Sequence, residues 1–167
     1  MNRLLKTWRE LFRRMDPVIT GWMARHGIGL IRVSLGVVFL WFGALKFFPG
    51  LSDAETLAAR TIGALSFGRI PPSLSLPGLA TWESLIGLGL LTNMVPRLTL
   101  LLLYVDMLGT LTPLVLFPHE TFKVIPLIPT LEGQYIIKNL VLISAGIVIG
   151  ATVRGGRIVA EPGRKRT

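Results

Sequence analysis

Four apolar stretches, Ile28 to Phe48, Gly78 to Val95, Leu98 to Phe117 and Gln134 to Val153, dominate this 167-residue sequence. Each runs about 18 to 21 residues, which at ~1.5 Å per residue reaches roughly 27 to 31 Å, the hydrocarbon thickness of a bilayer. Buried core helices are the competing reading, but four of them in so small a chain leave almost nothing polar to cover them. The charges agree. Of 18 basic and 9 acidic residues, positions 1–26 hold six and two, and positions 154–167 hold five and one. The rest carries about one charge in ten residues, against about a quarter in a soluble domain. The expected fold is therefore all-α: a four-helix transmembrane bundle.

The net charge of +9 sits at the two ends of an apolar body. Nucleic-acid binding needs a basic face on a folded domain, whereas basic ends beside membrane spans fit anionic lipid. With no cysteine, disulfides, thiolate metal sites, iron–sulfur clusters and a thiol relay within this chain are excluded. His26 and His119 fall on opposite sides of the membrane, outside any metal-ligand pattern, so no metal is expected. No Walker loop, dinucleotide fingerprint or nucleophile elbow is present.

Three regions follow. Residues 1–27 form a basic lead in which Leu4, Leu5, Trp8, Leu11, Phe12 and Met15 recur at helical spacing. Arg3, Lys6, Arg9, Arg13 and Arg14 take the other face and are the expected membrane-surface residues of an amphipathic interfacial helix. A partner-docking helix has the same pattern. Residues 28–153 hold the four spans, and residues 154–167 are a basic tail. The lead, the turn Asn93 to Arg97 and the tail share twelve basic residues, whereas the connections Pro49 to Pro77 and Pro118 to Gly133 carry only Arg60, Arg69 and Lys123. Both termini are thus expected in the cytoplasm. The lead is too long for a cleaved signal peptide. In the first outer connection Ser52 and Glu55 form an S-x-x-E capping box, predicting a short outer surface helix. Pro71, Pro72 and Pro77 are expected to break the chain before it re-enters.

Five ionisable residues fall inside the spans: Arg32, Lys46, Glu83, Asp106 and Lys138. Each costs about 2.5 to 3.5 kcal/mol at a helix centre, so they need partners or a wet cavity. Counting ~1.5 Å per residue puts Lys46 about 3 Å, Lys138 about 6 Å and Glu83 about 8 Å below the outer boundary, with Asp106 near the midplane. Arg32 is expected to snorkel inward to the headgroups. Arg32, Gly36, Phe39, Gly43 and Lys46 share one stripe whose glycines permit close helix approach. Glu83 with Gly87, Asp106 with Thr110 and Pro113, and Gln134 with Tyr135, Lys138 and Asn139 give the other spans one polar stripe each. Turned inward, these stripes form an outer-leaflet pocket. Lys46, Glu83, Asp106, Tyr135, Lys138 and Asn139 are its candidate ligand-binding residues; no catalytic set is readable. The alternative is structural: Lys46 with Glu83, and Lys138 with Asp106, as ion pairs that only fix register. Gly146 and Gly150 form a G-x-x-x-G that serves either a homo-oligomer or packing within one bundle. Trp8, Trp22 and Trp82 read as interfacial belt residues.

The blocks L-I-R-V-S-L-G-V-V-F-L-W-F-G-A-L-K-F from Leu30 to Phe47, W-E-S-L-I-G from Trp82 to Gly87, T-P-L-V-L from Thr112 to Leu116 and G-Q-Y-I-I-K-N from Gly133 to Asn139 resemble the DoxX-like membrane proteins. The nearest branch is the one associated with reactive-chlorine resistance in bacterial inner membranes. The resemblance implies a multi-pass protein of the bacterial cytoplasmic membrane. It further implies an accessory role beside a soluble or membrane redox partner, as in thiosulfate:quinone oxidoreductase or an oxidant-defence complex. The leading expectation is an accessory subunit, rather than a stand-alone enzyme, that binds a quinone or similar amphiphile. A small transporter or channel, and a scaffold without a ligand, are the alternatives.

Overall fold

Neither Pro17 nor the glycines at 27 and 29 interrupt the first helix. In the computed structural model, which describes residues 2–52 and 55–156, with side chains from Met15 onward, α1 runs unbroken over Asn2–Leu45. The lead and the first span are one element here. The boundary at residue 27 came from hydropathy, which reports where lipid begins; isolated glycines cost a helix only about 1 kcal/mol each, and no cap or proline sits there. The side chains of Arg3, Lys6, Arg9, Arg13 and Arg14, and residues 157–167 of the tail, lie outside the described residues.

The other elements follow in chain order: α2 (Glu55–Leu65), α3 (Pro72–Thr92), α4 (Pro96–Leu111), α5 (Pro113–Leu116), α6 (Pro118–Thr121), the strands β1 (Phe122–Val124) and β2 (Ile128–Pro129), and α7 (Leu131–Gly150). Four helical segments are long and apolar enough to cross a membrane: Met15–Leu45, Pro72–Thr92, Pro96–Leu116 and Leu131–Gly150. The fold is an all-α bundle with one antiparallel two-stranded hairpin, which sequence reading did not foresee. Pro72 occupies the first turn of α3, where its missing N–H is no loss. Pro77 lies inside that helix and does not break it, so α3 begins six residues before the expected Gly78. The third crossing is interrupted at Thr112: Pro113 cannot bond the carbonyl of Gly109, and Thr112 takes it instead, from its N at 3.1 Å and its Oγ1 at 2.6 Å.

α1 and α3 pack antiparallel through glycines. A Cβ on Gly36 would lie 2.9 Å from Leu91 Cγ, and one on Gly43 would lie 2.8 Å from Ser84 N. Arg32 Nη1 donates to the carbonyls of Leu90 and Leu91 at the end of α3. It thereby caps orphan carbonyls at the negative helix end. This register sets the end of α1 opposite the middle of α3. Glu83 is about 16 Å along the axis from Pro72 and about 14 Å from Thr92. Past Leu45 the chain winds on through successive three-residue-back bonds, from Lys46 N, Phe47 N and Phe48 N to Gly43 O, Ala44 O and Leu45 O. Satisfied in this way, irregular backbone can sit beside a cavity at membrane depth. α7 packs its Gly146 on Leu103 and Tyr104, 3.1 and 3.2 Å from a Cβ there, with Gly150 against the Tyr104 hydroxyl. The G-x-x-x-G therefore serves packing within the bundle. Leu35, Phe39, Ile86, Leu90, Leu100, Leu103, Met107, Ala145 and Ile149 form the core.

Candidate functional site

Because α1 stops half way up its neighbours, space is left above its end, and α2 lies across that space. α2 is anchored at both sides. The Glu55 carboxylate accepts from Gly50 N at 3.1 Å and from Ser52 N at 3.4 Å, the backward half of the expected capping box. Arg60 donates to Glu120 Oε2 at 2.6 Å and stacks over the Phe117 ring at 4.7 Å, clasping α2 to the start of α6.

The volume beneath measures about 520 Å³. Gly43 brings α1 against Glu83, and one turn later Lys46 Nζ reaches Glu83 Oε2 at 2.6 Å, the two side chains 9% and 12% exposed. Trp82 Nε1 donates to Leu102 O at 3.1 Å, tying α3 to α4 and setting Glu83 level with Asp106. Asp106 is 8% exposed and its Oδ2 is buried without a partner. Lys46, Glu83 and Asp106 all line the cavity, as do the buried Thr61 and Ser75. The mouth is apolar: Leu65, Ile70, Leu74, Trp82 and Val105 line the same space and are exposed on the bundle surface. Gly78 and Gly109 also line it, and nothing lies within 4 Å of a Cβ placed on either. An apolar side entrance and a charged interior give the site the polarity of a lipid-soluble molecule with a polar head.

The structure thus brings together three of the six expected ligand-binding residues. The other three stand apart. Tyr135 is 60% exposed, Lys138 is exposed with its Nζ 5.0 Å over the Tyr135 ring, and Asn139 is half-buried outside the cavity wall. The expected Lys138 to Asp106 pair does not form. The reason is the rotation of α7: Gly133 must face Thr121, whose carbonyl a Cβ would strike, and Ile136 enters the cavity wall. Tyr135 and Lys138 are then carried roughly half a turn to the outside.

Lys46 and Glu83 lie beside Asp106 at half the height of α3, since α3 starts at Pro72 and α1 ends early. Trp82 bridges α3 and α4 near the same height. Sequence reading missed Thr61, Ser75 and the roofing role of α2. The signal was present in α2, whose Leu57, Ala58, Thr61, Ile62 and Leu65 recur at helical spacing and all face the cavity.

The DoxX family model matches residues 27–118, just over half of the chain. The match takes in Lys46, Glu83 and Asp106 and stops short of α7. No curated protein and no solved structure matches the chain.

Proposed function

The chain belongs to the DoxX family, and from that membership and the cavity's geometry we propose that it binds the head of a quinone or similar membrane amphiphile. In this reading it is an accessory subunit supporting a soluble or membrane redox partner in oxidant defence, in the bacterial inner membrane with both termini cytoplasmic. The observation that carries the proposal is the polarity gradient of one cavity. Lipid-facing Leu65, Leu74 and Val105 admit an apolar tail, while Lys46, Glu83 and Asp106 receive a polar head. Ligand sites have this composition, a mostly apolar wall with a few converging polar groups. A polar path across the membrane is less well supported. On the side of the cluster away from α2 the described core is closed by Leu35, Ile86, Leu90, Leu100, Leu103 and Ile149.

The test is equilibrium binding of decylubiquinone and decylubiquinol to the purified protein in phosphatidylcholine nanodiscs. Gly78→Leu and Gly109→Leu place a side chain in open cavity space and should abolish binding of whichever form binds. Lys138→Met, altering a lysine that faces away, should leave binding at the wild-type level. Undiminished binding by both filled variants removes the cavity from the argument.

A further inference from the structure

The hydrogen-bonding groups of the cavity wall are nearly all committed in one direction. Thr61 Oγ1 donates to Leu57 O at 2.7 Å, Ser75 Oγ to Pro72 O at 3.3 Å and Thr110 Oγ1 to Asp106 O at 2.8 Å. A hydroxyl that has placed its single proton on a backbone carbonyl keeps only lone pairs for another partner. Trp82 Nε1, a donor with no acceptor function, is occupied by Leu102 O. Lys46 directs one proton to Glu83 and another to Phe42 O, leaving a third. Against that single donor stand three hydroxyl oxygens, the Glu83 carboxylate and the Asp106 carboxylate, whose Oδ2 has no partner at all. The lining residues also carry two formal negative charges against one positive. With Asp106 ionised the cavity accepts hydrogen bonds and offers few, and a proton on its unpartnered Oδ2 would add one donor.

We propose that the site selects amphiphiles whose head donates hydrogen bonds, above all hydroxyls, over heads that can only accept. The inference rests on the amphiphile-binding reading above and adds the head chemistry. A hydroquinone, with two hydroxyls, fits, whereas its oxidised quinone, with carbonyls only, would set acceptor against acceptor around Asp106 and leave those oxygens unpaired, which is costly in a buried site. A free glycerol hydroxyl of a diacyl lipid presents the same chemistry from a different source.

The experiment measures dissociation constants of the full chain in nanodiscs of dioleoylphosphatidylcholine, whose head has no donor. The probes are decylubiquinol kept reduced under argon, decylubiquinone, dioleoylglycerol and the methyl ether of dioleoylglycerol. Decylubiquinol is expected to bind about tenfold or more tightly than decylubiquinone, the value of one hydrogen bond to a charged acceptor. In Asp106→Asn the new amide N–H can serve a quinone carbonyl, so the ratio should fall towards one. Equal binding of the two redox forms by the wild type, or tighter quinone binding, overturns the inference and leaves the amphiphile reading standing. Binding of dioleoylglycerol but not its methyl ether, with neither redox form bound, upholds the donor rule and overturns the quinone assignment. Binding of no probe overturns both. Should Asp106→Asn fail to fold, the wild-type ratio still decides, and Thr61→Val, which removes one accepting oxygen, should lower it.

Discussion

Lys46 and Glu83 meet in surroundings that exclude most water, and this decides what each contributes. Removing one member of a buried pair strands the other and costs about 3 to 5 kcal/mol, while replacing both with apolar residues is often neutral. Lys46→Met alone should therefore lower the stability of the detergent-solubilised protein by that amount, read as a shift in its unfolding midpoint on titration with denaturing detergent. The double variant Lys46→Met with Glu83→Leu should recover most of the loss. Amphiphile binding separates a site from a scaffold: the double variant should regain stability without regaining binding. Recovery of both would show that the pair only sets helix register. The pair was legible in the sequence because glycines at 36 and 43 lead along one stripe to Lys46, and that face of α1 has one neighbour to meet. Lys138 was not legible in the same way. Its stripe is as polar, but the rotation of α7 is dictated by Gly133 and Gly146, whose partners Thr121 and Tyr104 come from other elements.

Hydropathy locates lipid-facing runs; helix ends and heights depend on terms it does not contain. It therefore found all four crossings, yet it could not show that α1 ends at half height or that α3 continues outward through Pro77. The consequence of those two ends is the cavity, which exists because a short helix faces a long one and α2 bridges the difference. Glycines make the same point, since their role depends on what lies opposite. Gly43 and Gly78 both sit in apolar helices, but a Cβ on Gly43 meets backbone and side chain of Ser84 within 3.0 Å, while one on Gly78 meets nothing within 4 Å. Gly43→Val should thus push α1 from α3, break the Lys46 to Glu83 pair and destabilise by at least the ~1 to 3 kcal/mol of an overpacked contact. Gly78→Ala should be neutral or stabilising by up to about 1 kcal/mol, through the lower chain entropy of alanine. Unfolding midpoints of the two variants check both signs, and a Gly43→Val protein as stable as wild type would contradict the packing register.

Across the whole molecule, an even number of crossings puts the N-terminal part of α1 and the end of α7 on one side, and α2, α6 and the hairpin on the other. Which side is which sets where a partner must approach: α2 roofs the cavity, so a soluble partner able to touch the site through its roof must share a compartment with α2. The proposed orientation, with α2 outside the cytoplasm, rests on the charge distribution: lysine and arginine in short connections are retained on the cytoplasmic side, and the side bearing α2 has only Arg60, Arg69 and Lys123 in its connections. The absence of cysteine makes this directly measurable, since an introduced thiol is the sole maleimide target in this chain. Phe67, 89% exposed just after α2, and Met94, 80% exposed in the turn between α3 and α4, mark opposite ends of the bundle, and neither lines the cavity. Phe67→Cys should react with a membrane-impermeant maleimide in spheroplasts, and Met94→Cys only after permeabilisation. The reverse pattern would place α2 in the cytoplasm, and a partner acting through the cavity roof would then be cytoplasmic.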